Sequence, residues 1–321
     1  MMKTRLAVLE LAAQQRLGPD AFASLWRLAA FDAQPGGLAG RLRRALLLLG
    51  ALMIGLGLVF FVAANWQSFG RTGQFGLLEG AAVCACAGAA LWRPARVPLA
   101  LLALLAIGAL FAFFGQTYQT GADAWQLFAT RAALALPLAF GARSDSVWSA
   151  WTLVAMTALG LWGGRLDLFG FEPALFLMAC AALLACALAA LLTVFGPRAG
   201  AGSASMRLAT LSAALLVGAV GVTDLVGRTP GGYYLAALLL FAAAAWLTHK
   251  GRWFDLVSLC IAALGLNVLI DGGLMRALLS GSGSQGSGVL LLLGLVAAGL
   301  LALTVWLILP LARQHGTEDQ A

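Results

Sequence analysis

Long runs of apolar residues, separated by short polar connections, account for most of this chain. Ten of them are long enough to be helices that cross a bilayer. They lie near residues 45–65, 73–92, 97–114, 124–141, 146–163, 173–195, 206–226, 231–248, 253–271 and 288–311. A transmembrane helix needs about 20 mostly apolar residues to span about 30 Å of hydrocarbon. The connections are too short to hold a separate catalytic domain. The longest, Gly272 to Ser287, is rich in glycine and serine and reads as a mobile loop. The pattern predicts an all-α integral membrane protein, a bundle of ten transmembrane helices.

Ahead of the first run the periodicity shortens. Residues 3–31 read as two short helices broken at Gly18-Pro19, with Pro19 in the first turn of the second helix and Asp20 at its positive end. Phe22, Leu25, Trp26 and Ala29 recur at helical spacing and form one apolar face, with Arg27 on the other. The expected organisation is a cytoplasmic amphipathic hairpin (1–33), a linker with the basic anchor Arg41, Arg43 and Arg44 (34–44), the transmembrane domain (45–311) and a cytoplasmic tail (312–321). The hairpin suits the inner membrane surface, the bundle itself or a cytoplasmic partner.

Composition agrees with the pattern: 62% of the 321 residues are hydrophobic and 10% charged, and the mean hydropathy is +0.93. Soluble proteins carry about 25% charged residues. Lys and Arg set the orientation. With the N-terminus in the cytoplasm, 15 of the 20 basic residues fall inside, Arg71, Arg165, Arg228 and Arg276 fall outside, and Arg131 lies within a span. Both termini are then cytoplasmic. The net charge of +7 follows from this topology and from anionic inner-leaflet lipid, so it does not argue for nucleic acid. A charged stretch precedes the first apolar run, so no cleavable signal peptide is expected. The five cysteines fall inside predicted helices. His249 and His315 lie too far from Cys84-x-Cys86 to complete a metal site, and no cofactor is implied.

Ionisable side chains inside a bilayer are the default functional candidates. Glu79 and Arg131 sit at equal depth, roughly 10 Å below the outer surface at 1.5 Å per residue, which makes them a plausible buried ion pair. Asn65 and Trp66 end the first span on the same side. Gln116, Tyr118, Gln119, Asp123, Trp125 and Gln126 surround the third connection, and Asp224, Asn267 and Asp271 close later spans there. The inner half shows little beyond Asp255, so any polar cavity should open outward. Glu79, Arg131, Gln116, Tyr118, Gln119, Asp123, Trp125, Asn65 and Trp66 are the candidate ligand-binding residues. The bland reading is that these groups clamp helices together or anchor them at the interface. Gly281–Gly286 fits a dinucleotide pattern, but no strand precedes it and it lies in an outer loop.

Two segments resemble a bacterial membrane family, the domain of unknown function 2157. They are Gly50–Trp66, ending Phe-Phe-Val-Ala-Ala-Asn-Trp, and Gly115–Phe128 with the following Leu-Ala-Leu-Pro137. With the N-terminal hairpin, the resemblance covers roughly residues 1–145. It implies a bacterial cytoplasmic-membrane protein without an established activity. It also implies, as partners, a second polytopic membrane protein and a membrane-anchored protein with a GDYxxLxY motif. In the resembled pattern an aromatic residue, usually Trp, stands at the position of Arg131. A Glu79–Arg131 pair would therefore be peculiar to this chain.

Three functional classes follow. One is a membrane component of an envelope assembly with an outward-facing polar surface. Another is a small-molecule or lipid transporter or flippase with an outward-opening polar cavity, although no repeat relates residues 45–163 to 173–311 as an inverted-repeat transporter requires. The third is an intramembrane enzyme using Glu79 or Asp123, for which no catalytic constellation is present.

Overall fold

The computed structural model describes residues 14–15, 18–28, 38–65, 68–118, 123–164, 174–227, 232–249, 255–281 and 286–318. Among them are eleven α-helices: α1 (Pro19–Leu28), α2 (Leu38–Ala64), α3 (Arg71–Leu91), α4 (Arg96–Tyr118), α5 (Ala124–Ala142), α6 (Asp145–Gly163), α7 (Ala174–Ala199), α8 (Ser203–Val226), α9 (Gly232–His249), α10 (Leu256–Gly281) and α11 (Gly286–Glu318). No strand occurs among the described residues. Eight helices are long and apolar enough to cross a membrane; α5 and α6 are the two long ones left out. Gln126 and Arg131 dilute α5, while Asp145 and three tryptophans dilute α6.

The chain divides into two units, Met1–Gly50 and Ala51–Ala321. In the first, α1 starts at Pro19 with Asp20 in its first turn, as the sequence predicts. The other predicted N-terminal helix lies outside the described residues except at 14–15. α2 begins at Leu38, so the expected linker at 34–44 is partly helical. Leu38, Ala39, Leu42 and the three arginines are good helix formers, and they outweigh the single Gly40.

The second unit is a series of helical hairpins, α3/α4, α5/α6, α7/α8 and α9/α10, with α11 packed on α10. The first helix of three successive hairpins buries the same stripe: Ala82, Ala85 and Ala89, then Ala132, Ala135 and Ala139, then Ala182, Ala185 and Ala189. Small side chains let helix backbones approach closely where dispersion and not water drives packing. In α9 the stripe becomes Ala237 and Phe241, and the facing position on α10 is Gly265. A Cβ there would lie 2.3 Å from the Phe241 ring.

α6 and α8 form the centre. α6 touches α4, α5, α7 and α8, and α8 touches α6, α7, α9 and α10. The less apolar helix α6 is also deeply buried, with Val147, Trp148, Trp151 and Thr152 all shielded. Its tryptophans tie neighbours together. Trp151 Nε1 donates to the Ala132 carbonyl at 2.8 Å, and Trp148 Nε1 donates to the Ala199 carbonyl at 3.0 Å.

The expected mobile loop at 272–287 is mostly helix. α10 runs on to Gly281 and α11 starts at Gly286. Arg276 explains the extension: its Nη1 donates to the Leu225 carbonyl and to the Gly227 carbonyl, at 2.6 Å for the latter. A cation thus sits at the negative end of α8. Gly272 and Gly273 serve close approach, since added Cβ atoms would meet Leu225 at 3.0 Å and the Tyr234 hydroxyl at 2.3 Å.

Candidate functional site

The described candidate residues lie on or beside α2–α5, toward one end of the bundle. Asn65, just past α2, turns its Nδ2 onto the Phe61 carbonyl at 2.9 Å. Glu79 is exposed on α3. Tyr118 stacks on Phe114 and Phe75, with centroids 4.9 and 5.7 Å away. Asp123 precedes α5 and accepts from Trp125 Nε1 at 3.2 Å, and the Trp125 ring lies 6.4 Å from that of Trp162. Gln116 reaches a cleft of about 160 Å³ shared with Val62, Leu78 and Phe113. Trp66 and Gln119 lie outside the described residues.

Arg131 and Glu79 do not pair. Arg131 turns toward α4, where Nη2 donates to the Leu104 carbonyl at 3.1 Å. Its guanidinium lies where a Cβ on Gly108 would be, 2.4 Å from Cζ. The glycine opens a slot for a cation that a carboxylate was expected to neutralise. Equal depth on two helices does not fix their facing directions, and Glu79 faces outward. Arg131 Nε is buried without a partner.

A second polar group at the same end links α8, α9 and α10. Asp224 is buried and accepts from the Tyr234 backbone N–H at 2.8 Å. The Tyr234 hydroxyl donates to the Leu269 carbonyl at 3.0 Å. Asn267 does not close a span; it exchanges hydrogen bonds with Thr304 at 3.0 and 3.2 Å and fastens α10 to α11.

The opposite end carries what the sequence reading missed. The Asp145 carboxylate, at the start of α6, accepts three backbone N–H groups at the start of α8: Gly202 at 2.9 Å, Ala204 at 3.0 Å and Ser205 at 3.0 Å. Helix N-termini leave such donors without intrahelical partners, and here another helix supplies the acceptor. Partial burial pushes this carboxyl up, but hydrogen bonds from Ser205, Gly202 and Ala204 outweigh it and hold it below the usual carboxylate range. Beside it Arg143 is left-handed, with φ 47°. Gly200, with φ 85°, packs so closely on Arg143 that a Cβ would lie 2.6 Å from its backbone. On the other flank of α8, Asp255 accepts Arg207 Nη2 at 2.7 Å and the Ser258 N–H at 2.9 Å. Ser144-Asp145 before an apolar run and the glycines at 200 and 202 were the available signals.

Clefts between successive hairpins also lie toward this end. One of about 430 Å³ lies between the first two hairpins beside Arg96 and Pro137. Another of about 430 Å³ lies between the second and third beside Arg143 and Arg198. A third, of about 520 Å³, lies between the third and fourth beside Arg207 and Asp255. Among the described residues no cluster of three or more His, Cys, Asp or Glu is placed to hold a metal ion.

Among known families, a model described as a predicted membrane protein, DUF2157, matches residues 9–148. That stretch is similar to DUF2157. The match covers nearly the segment on which the sequence resemblance rests, and it ends at Trp148 in the first turn of α6. The DUF2157 stretch therefore includes Glu79, Arg131, Asp123 and Asp145, while Arg198, Gly200 and the start of α8 lie beyond it. No curated protein and no solved structure matches the chain.

Proposed function

We propose that this DUF2157-containing protein is a ten-span component of an envelope assembly in the bacterial inner membrane, with both termini in the cytoplasm. α5 and α6 are each 19 residues long, roughly 28 Å at 1.5 Å per residue, and so long enough to cross. Packed among the apolar helices α4, α7 and α8, they turn Arg131, Trp148 and Trp151 onto carbonyls of neighbouring helices. With both crossing, the Arg143 end is the cytoplasmic end and the Asp123 end faces out.

The observation that carries the reading is where the interior polar groups point. Arg131, Trp151, Trp148 and Tyr234 all donate to backbone carbonyls of neighbouring helices. Such groups hold helices in register, and the clefts between hairpins remain open at the bundle's edge. α11 offers an apolar flank to lipid or to a partner's helices, with Leu291, Leu295 and Trp306 all well exposed. The partners suggested by the resemblance are a second polytopic membrane protein and a GDYxxLxY-motif protein.

Native mass spectrometry of the protein, gently extracted from its own membrane, tests this. The expected result is stoichiometric association with other membrane proteins. A discrete small-molecule adduct that disappears in Asp123→Asn, with no protein partner, would replace the assembly reading with outward-opening transport.

A further inference from the structure

The three clefts at the Arg143 end occupy equivalent places between successive hairpins, yet their arginines differ. In the first cleft Arg96 directs its Nε to the Ala89 carbonyl at 3.2 Å. In the third, Arg207 is held by Asp255 at 2.7 Å. The middle cleft alone among these has two exposed arginines, Arg143 and Arg198, with no acidic partner among the described residues.

Capping does not explain these two arginines. The carbonyls at the ends of α5 and α7 are already used: Ala139 accepts from the Arg143 backbone N–H at 3.3 Å, and Gly196 accepts from Ala201 at 2.9 Å. Ala199 accepts from the Trp148 indole. Both guanidinium groups therefore remain available to an outside acceptor. Arg198 lies over the Phe195 ring at 6.0 Å, a cation–π contact that orients the guanidinium without neutralising it.

The wall of the cleft indicates what that acceptor is attached to. Phe140 packs edge-on against Trp148 at 5.0 Å. Phe140, Leu191 and Phe195 are each about half exposed along the flank, where the hydrocarbon of a bilayer would lie. Two forked donors above an aromatic and aliphatic groove match a phosphate diester above acyl chains. Arginine binds phosphate through paired N–H donors, and basic pockets between transmembrane helices on the cytoplasmic side take lipid headgroups.

We propose that the cleft between α5/α6 and α7 binds the phosphate of an anionic phospholipid through Arg143 and Arg198, with its acyl chains along Leu191 and Phe195. This inference does not depend on the assembly role, but it rests on the proposed topology, in which these helices lie in a membrane with the Arg143 end at its cytoplasmic face.

The test uses the full chain in detergent, titrated with phosphatidylglycerol and, separately, with phosphatidylcholine, and retained lipid is counted by native mass spectrometry. Arg143→Asn keeps the backbone, since asparagine tolerates the left-handed conformation. Combined with Arg198→Gln, it should weaken phosphatidylglycerol retention by about thirtyfold, the product of two membrane-surface arginine contributions. Phosphatidylcholine should bind more weakly throughout, and Arg96→Gln should leave retention unchanged. Unaltered retention in the double variant overturns the proposal, as does an equal loss in Arg96→Gln. Displacement by inorganic phosphate alone would mark a soluble-anion site and overturn the lipid assignment. Should the double variant not fold, Arg198→Gln alone, an exposed change in the last turn of α7, decides: a loss of about fivefold supports the site, and none overturns it.

Discussion

Two charged side chains, Asp145 and Arg131, show how differently this bundle treats its ionised groups. Asp145 joins α6 to α8, and three backbone N–H groups with no other helical partner converge on its carboxylate. Arg131 joins α5 to α4 through one carbonyl, while its Nε is buried and unpartnered. The acid completes the hydrogen bonding of a helix start. The arginine remains under-satisfied in a slot that Gly108 keeps open. A charge that satisfies backbone groups stabilises the fold, whereas one buried with a single acceptor carries an uncompensated desolvation cost.

The joint is most sensitive at Gly200. A side chain there would need a left-handed backbone and would meet the Arg143 main chain at 2.6 Å. Backbone cannot swing aside as a side-chain end can. Gly200→Ala is expected to cost roughly 3 kcal/mol or more, seen as a large fall in the thermal midpoint in detergent or as loss of folded protein. A midpoint within a degree of the parent's would mean that this joint is looser than its contacts imply.

Asp145→Ala comes next. It leaves three N–H groups without their acceptor, one of them on Ser205, which is fully buried. The expected loss is about 1–2 kcal/mol, kept modest because the carboxylate itself is partly solvated. The pH dependence has a defined sign. The folded carboxyl lies below its ordinary range, so its contribution is complete above the unfolded value of about 3.9 and is lost as pH falls through the lower folded value. Acid should therefore narrow the gap between the parent and Asp145→Ala. A gap that stays constant down to pH 3 would count against the hydrogen bonds.

Arg131 predicts the opposite behaviour. Arg131→Met removes the under-satisfied charge and keeps most of the packing, so stability should be unchanged or rise by about 1 kcal/mol. Gly108→Ala alone should destabilise by about 1–2 kcal/mol, because the guanidinium must move off the Leu104 carbonyl to make room. With both changes together that cost should largely vanish, a non-additivity of about 1 kcal/mol in a double-mutant cycle. Additive effects would remove the slot from the account. Strong destabilisation by Arg131→Met would place Arg131 beside Asp145 as a finished clamp.

Much of the helical order was legible because apolar runs of about 20 residues say where helices lie whatever they pack against. Each of the ten expected runs coincides with one of the helices α2–α11, although eight of these pass as spans on length and hydropathy alone. The DUF2157 resemblance was legible for a different reason: Asn65-Trp66 and Gln116–Gln119 lie in short polar segments where apolar composition does not mask sequence. Facing directions were not legible. Depth along a span placed Glu79 level with Arg131, but rotation about each helix axis points one outward and the other at α4. The Asp145 joint was missed because its partners are backbone N–H groups, which any sequence supplies. Glycine and serine at 272–287 suggested a mobile loop, yet Arg276 and the close approach to Leu225 and Tyr234 make much of it helix.

The pair Arg207–Asp255 should give the smallest effect and calibrates the other predictions. It is the side-chain counterpart of the Asp145 joint: a carboxylate at the start of α10 holding the first turns of α8. Burial pushes Asp255 up, and hydrogen bonds from Arg207 and Ser258 bring it below its ordinary range. Both partners remain partly exposed, at 43% and 29% of side-chain surface, so solvent screens the attraction. Arg207→Gln should cost less than about 1 kcal/mol, and half a molar salt should shrink the difference further. Asp145→Ala should respond weakly to the same salt, because its partners are oriented backbone dipoles at contact distance and not a mobile cation. If the two variants respond to salt alike, convergence of backbone donors is not what distinguishes Asp145 from an ordinary surface pair.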